Sequence, residues 1–394
     1  MTRRALKVGC PAGTALALIC AAPLLLRAQT VTPISGAFVL RLGRDTVAME
    51  RYQRTDNRLD GDVVMRVPST VRVRYSTEFG RDGRVRRSTA RIDALGSKAA
   101  QEGRKVTVDV LGDSIRVVTD SGALHRTEMR RGAPDLVPLI AGPYATSYAT
   151  YEWLIGRAKD GDTVRFNVMS PVTARLGTAL FVRHNKQRAE IDFFGETFMD
   201  ASFDDNGRLV AVDANMLTVR TNVERVADVD IGGAAARFAA LDHKGRGLGT
   251  MSPPDSVRAT VDGVRIAIDY GSPRARGRQV LGGLVPYSLV WRTGANAATT
   301  LSIDGDLSIG GQRLPAGTYS IWTIPSPDHP ELIINAQHGQ WGTEYNDTKD
   351  VAKVSLRSAD VAESQEQFTI RVTPDNLLRF RWSTFEWTVP LSRP

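Results

Sequence analysis

Short runs in which polar and apolar residues alternate fill most of the chain, a spacing that sets the two kinds of side chain on opposite faces of a strand. The run "VRVRYSTEF" from Val71 leads to the turn Asp82-Gly83 and returns as "RVRRSTARI", and "MDASFDDNGRLVAVDA" folds about Asn206-Gly207, the strongest hairpin signal in the chain. One segment has helical spacing instead. Thr146 or Ser147 can cap a helix near residues 146–158, whose apolar residues Tyr148, Tyr151, Leu154, Ile155 and Ala158 recur on one face. The first part of the chain therefore predicts a large antiparallel sheet with one clear helix, an α+β domain.

The texture changes over residues 230–255, where glycine and small residues culminate in Pro253 and Pro254. Such composition reads as a linker. We expect a β-rich domain over residues 29–235, a Gly-rich linker over 236–251 and a second domain over 252–394. In that last part "GVRIAIDY" sets Val264, Ile266 and Ile268 on one face, and "LLRFRWSTFEWTVPL" alternates Leu378, Phe380 and Trp382, then Phe385, Trp387 and Val389, with polar residues. Short strands with regular turns predict a β-sandwich or barrel, and the fold class as a whole is mainly β.

The first residues depart from this pattern. Arg3, Arg4 and Lys7 lead into an apolar run ending at Leu26, with Ala28 as a small residue before a cut, which is the layout of a secretory signal over residues 1–28. The expected location is periplasmic or secreted, after cleavage near Ala28, with no transmembrane anchor in the mature chain. Both cysteines, Cys10 and Cys20, fall inside that segment, so the mature chain is expected to hold no disulfide and no thiol nucleophile. The net charge of +8 includes four basic residues of the first 28, which contain no acid, so the remainder carries +4. No concentrated basic face stands out, and nucleic acid is not an expected partner.

Candidate chemistry gathers around "GLVPYSLVWRTGAN" at residues 283–296. Trp291 and Arg292 must point to opposite faces of a strand. In one reading Trp291 fills the core and Arg292 braces loop carbonyls or pairs with Asp269 or Asp350, while Asn296 closes its own turn. In the other, Arg276, Arg278 and Arg292 converge beside Asn296 and an aromatic platform from Tyr287, Trp341 or Tyr345, with Asp350 nearby. A guanidinium fork matches a carboxylate, and an aromatic face stacks on a sugar ring. His329, Glu331 and His338 flank the strand-like "ELIINA" and are weak candidates for a shared metal. The sequence contains no Gly-x-Ser-x-Gly elbow, no His-Glu-x-x-His and no phosphate-binding loop, and it implies no cofactor.

The stretches "IDYGSPRARGRQVLGGLVPY", "VWRTGAN", "LPAGTYSIWTIP" and "WGTEYNDTKDV", in this order, resemble the bacterial domain of unknown function family 2911 across residues 252–391. The resemblance implies a secreted or periplasmic β-sandwich and no particular activity. The leading expectation is a non-catalytic protein that binds a cell-envelope ligand, a glycan or an anionic small molecule. The alternatives are a hydrolase using carboxylates or a His-held metal, and a periplasmic lipid or lipoprotein carrier that shelters acyl chains between the sheet and helix of the first domain.

Overall fold

The computed structural model describes residues 33–96, 103–122, 124–142, 145–193, 199–214 and 220–394; the expected signal segment, with both cysteines, lies outside them. The alternating text of the first half forms one fifteen-stranded sheet. Eight strands follow each other as an antiparallel meander from Ile34–Leu42 to Leu124–Arg131. On the other side of Ile34–Leu42 the sheet continues with Asn222–Val226 and runs back through Leu209–Asp213 to Thr163–Met169, ending in a parallel pair with Val137–Pro138. Both hairpins read from the sequence are present. Val71–Phe79 pairs with Val85–Ala94, and Met199–Phe203 with Leu209–Asp213 across a turn in which Gly207 takes φ +74°.

Helix α1, Tyr148–Ile155, forms where its spacing predicts, and the Oγ of Ser147 accepts from the Thr150 N–H as its cap. It ends at Gly156, short of Ala158. Tyr148, Tyr151, Leu154 and Ile155 are buried, and so are Thr150 and Glu152. Burial on nearly every side means that the helix is enclosed rather than laid along one face. Both arms of the sheet supply its neighbours: Phe38 lies 6.1 Å from Tyr148, Phe181 lies 5.6 Å from Tyr151, and Phe79 stacks on Trp153 at 4.3 Å.

Two buried carboxylates tie α1 to the sheet. Glu50 accepts from the backbone N–H groups of Tyr148 (2.7 Å) and Ala149 (3.1 Å) at the positive end of the helix, and from the hydroxyls of Ser147 and Tyr75. Burial still pushes its pKa up. Glu152 accepts from the Tyr52 hydroxyl, from the Leu209 N–H at 2.7 Å and from Arg225. The tyrosines reach inward because glycines face them across the strands, in the register Gly36, Tyr52, Gly61, Tyr75. A Cβ on Gly61 would sit 2.2 Å from the Tyr75 ring, so only glycine leaves room there.

The stretch read as a linker is structured. Asp230 caps a second helix, α2, Ile231–His243, by accepting from the Gly233 N–H. Its alanine-rich sequence is a strong helix former, and Ile231, Ala234 and Ala235 pack on Val64 of the sheet. Of the expected linker, only the residues after His243 are irregular up to strand Pro254–Val261.

The second half is a β-sandwich. A six-stranded sheet includes Val264–Gly271, Gly317–Ile324 and Glu331–Asn335, and a four-stranded one carries the long strands Arg357–Val372 and Leu377–Ser392. Val264, Ile266 and Ile268 point into the core as expected. In Leu377–Ser392 the inward positions change parity, from Leu378, Phe380 and Trp382 to Phe385, Trp387 and Val389, and all six are buried. Ser383, at φ +51° beside an interrupted register with Arg357–Val372, makes the bulge that shifts the phase. The core of Val257 to Leu391 shares no buried residue with that of Phe38 to Met251.

Candidate functional site

Residues 283–296 fold as linked turns and isolated bridges. Trp291 bonds Thr323 through the main chain in both directions, and its ring meets Phe368 at 5.1 Å and stacks on Trp382 at 6.1 Å. That places the indole at the edge of the sandwich core. Arg292 turns the other way. Its Nη1 donates to the Asn296 carbonyl at 3.2 Å, and its stem lies so close over Gly342 that a Cβ there would come within 2.3 Å of Cδ. Burial lowers the Arg292 pKa, and Arg220 adds to the effect. Asn296, at φ +66°, donates its Nδ2 to the Ser252 carbonyl at 3.4 Å.

Arg276 is 4% exposed and forms an ion pair with Asp45 of the first half. Its N–H donates to Glu366 (2.9 Å), its carbonyl accepts from the Arg44 N–H (2.9 Å), and Nη2 has no hydrogen bond among the described residues. This guanidinium joins the two halves. Arg278 donates Nε and Nη2 to the carbonyls of Ala275 and Arg274, both at 3.0 Å. Burial, with Arg276 and Arg220 close by, brings its pKa down to about 10.

Arg220 belongs to the first half and stands in no recognisable motif. It takes φ +51°, donates Nη1 to the Gly283 carbonyl at 3.0 Å, and lies within electrostatic reach of both Arg278 and Arg292. Arg220, Arg278 and Arg292 thus hold main-chain carbonyls, and none pairs with a carboxylate among the described residues. Neither carboxylate expected to meet Arg292 does so: Asp269 pairs with Arg258 at 2.7 Å, while Asp350 accepts from Asn335 and from Tyr345 at 2.6 Å.

Of the aromatics, Tyr287 and Trp341 are 40% and 48% exposed, in company with Leu289 and Val290. Trp341 is bridged to Ala297, next to the Arg292 turn. Tyr345 instead packs on Trp322 at 5.0 Å, and burial, together with the bond to Asp350, raises its pKa. The three weak metal candidates do not gather. The His329 N–H donates to Ser326, Glu331 pairs with Lys353 at 3.7 Å, and no group of three His, Cys, Asp or Glu able to hold a metal occurs among the described residues. No helix among the described residues is long and apolar enough to cross a membrane.

No curated protein matches the chain. Two solved structures are similar in part. A DUF1089 family protein from Pseudomonas aeruginosa is 13% identical, over 42% of this chain and 89% of its own, with a TM-score of 0.31. A beta-barrel-like protein of domain of unknown function DUF1849 from Brucella abortus is 12% identical, over 51% of this chain and 98% of its own, with a TM-score of 0.34. The sandwich half is recognised by sequence: residues 252–391 match the family described as "Protein of unknown function (DUF2911)".

Proposed function

We propose that this is a non-catalytic binding protein of the bacterial cell envelope, exported after cleavage near Ala28, which recognises an anionic ligand such as a uronic acid or phosphate group of an envelope glycan. The observation that supports the reading is the set Arg220, Arg278 and Arg292, three partly buried cations that give their hydrogen bonds to carbonyls and form no ion pair among the described residues, with Glu366 and Asp45 acting on Arg278 only through longer-range attraction. An oxyanion placed against them would recover the electrostatic cost of their burial. Exposed Trp341 beside the Arg292 turn, and Tyr287 in the same loop, offer the ring faces on which a sugar stacks.

The test is calorimetric titration of the purified mature protein with an oligogalacturonate, compared with its neutral methyl ester. Arg278→Gln and Arg292→Gln are each expected to weaken binding of the acid at least tenfold, and Trp341→Ala to weaken acid and ester alike. Equal binding of acid and ester, or wild-type affinity in both arginine variants, would overturn the assignment.

A further inference from the structure

A second basic site lies in the first half, far along the chain from the sandwich turns. At the C-terminal end of α1 a cleft of about 600 Å³ is lined by Arg54, Arg157, Arg183 and Arg208, with Ile34 and Trp153 on its apolar side. Glu152 is the one carboxylate in its lining, and both of its oxygens are taken by Tyr52, Leu209 and Arg225.

The guanidiniums are poorly served. Arg183, its side chain 7% exposed, gives Nη2 to the Lys186 carbonyl at 2.6 Å and lies 4.4 Å over the Phe203 ring. Its carboxylate partner, Asp160, is half exposed and 3.8 Å away, and its Nη1 has no hydrogen bond among the described residues. Arg208 holds the Ser35 carbonyl and leaves its Nε buried without a partner. Arg157 bonds the Gly83 carbonyl at 2.7 Å and lies 5.1 Å from the centre of the Trp153 ring. The Arg54 guanidinium has neither hydrogen bond nor ion pair among the described residues, while its main chain is held in the sheet. Unpaired donors on buried cations are costly, and the weakly compensated positive charge they leave beside the cleft attracts an anion into it.

We propose that this cleft binds a phosphate monoester bearing an apolar substituent, with the phosphate against Arg54, Arg183 and Arg208 and the substituent against Trp153 and Ile34. Four guanidiniums around one opening suit a doubly charged oxyanion better than a single carboxylate, and each fork can donate to two of its oxygens. The same chemistry is offered by a soluble aryl or alkyl phosphate and by a phosphatidic acid headgroup.

Phenyl phosphate, inorganic phosphate, and phosphatidylcholine vesicles with and without phosphatidic acid are the probes. Trp153 is the first tryptophan of the chain, the next being Trp291, so a fluorescence change that disappears in Trp153→Phe reports on this cleft. Phenyl phosphate is expected to bind at least tenfold more tightly than inorganic phosphate, and Arg54→Gln to weaken it at least tenfold with an unchanged melting temperature. Arg183→Gln is expected to do the same, and Arg54→Gln keeps the test valid if that buried change unfolds the protein. Response to phosphatidic acid vesicles alone would assign the ligand to a lipid surface; response to soluble phenyl phosphate would assign it to a free monoester. Arg278→Gln, in the sandwich, is expected to leave this binding intact, which separates the cleft from the glycan site. No response to either source, or wild-type affinity in Arg54→Gln, would overturn the proposal.

Discussion

Replacing Arg225 by alanine tests whether the buried ion pair under α1 holds the first half together. The Arg225 and Glu152 side chains are 15% and 4% exposed, so the change leaves a carboxylate in the core without its cation. Breaking such a pair from one side costs about 3 to 5 kcal/mol. Glu152 keeps the Tyr52 hydroxyl and the Leu209 N–H, which argues for the lower end, while the guanidinium also lies 4.6 Å over the Phe38 ring, a contact worth roughly 0.5 to 1 kcal/mol. We expect a loss of about 3 kcal/mol. With a urea dependence of about 3 kcal/mol per molar, the unfolding midpoint then falls by about 1 M. Urea titration followed by far-ultraviolet circular dichroism measures it. Adding Glu152→Gln to Arg225→Ala should restore part of the loss, since the stranded charge is then gone. A loss below about 1 kcal/mol for Arg225→Ala, with no recovery in the double variant, would refute the claim that these charges are desolvated.

Other outcomes follow from the same geometry. Burial pushes the Asp109 pKa up, but hydrogen bonds from Arg87 and Arg116 outweigh it and hold the carboxyl below its ordinary 3.8. Its stabilisation is present above that value and lost as pH falls through the lowered pKa, so the deficit of Asp109→Asn at neutral pH should vanish in acid urea titrations. Gly61→Ala should destabilise by more than the usual strand preference, because the new methyl meets the Tyr75 ring; the thermal midpoint should fall, and an unchanged midpoint would show that the ring can move aside. Arg292→Ala should cost only about 1 kcal/mol, the value of a bond to a carbonyl, since no buried carboxylate is left behind; a loss above about 3 kcal/mol in the same titration would point to a missed partner. Limited trypsin should cut at Lys244 or Arg246, just past α2, and leave two stable fragments if the halves are separate domains; one resistant core would argue against the division.

What the sequence disclosed was whatever depends on near neighbours. Two-residue alternation marks the inward residues of Val264–Gly271 because pleating acts locally, and the spacing of Tyr148, Tyr151 and Leu154 marks α1 for the same reason. Helix α2 was hidden by Gly232 and Gly233, which look like linker but occupy its first turn, where a cap from Asp230 offsets their low propensity. The candidate arginines were found as a cluster in sequence, yet their roles depend on distant partners: Arg276 meets Asp45 231 positions away, and Arg220 carries no local mark. Glu50 did leave a trace. It stands in phase with Ala48 and Tyr52, both inward, so a charged residue on the buried face of a strand was visible before any partner could be named.

The two carboxylates beneath α1 also set a chronology. Glu50 is made 98 residues before the Tyr148 N–H that satisfies it, and Glu152 waits a further 73 residues for Arg225. A nascent chain that has completed only the meander carries an acidic group on its apolar face with nothing to receive it. The penalty discourages early collapse, and completion of the core around α1 becomes conditional on the arrival of Asn222–Val226. A chain cut off before that strand is therefore expected to stay open, so the first half folds late and as a whole or not at all.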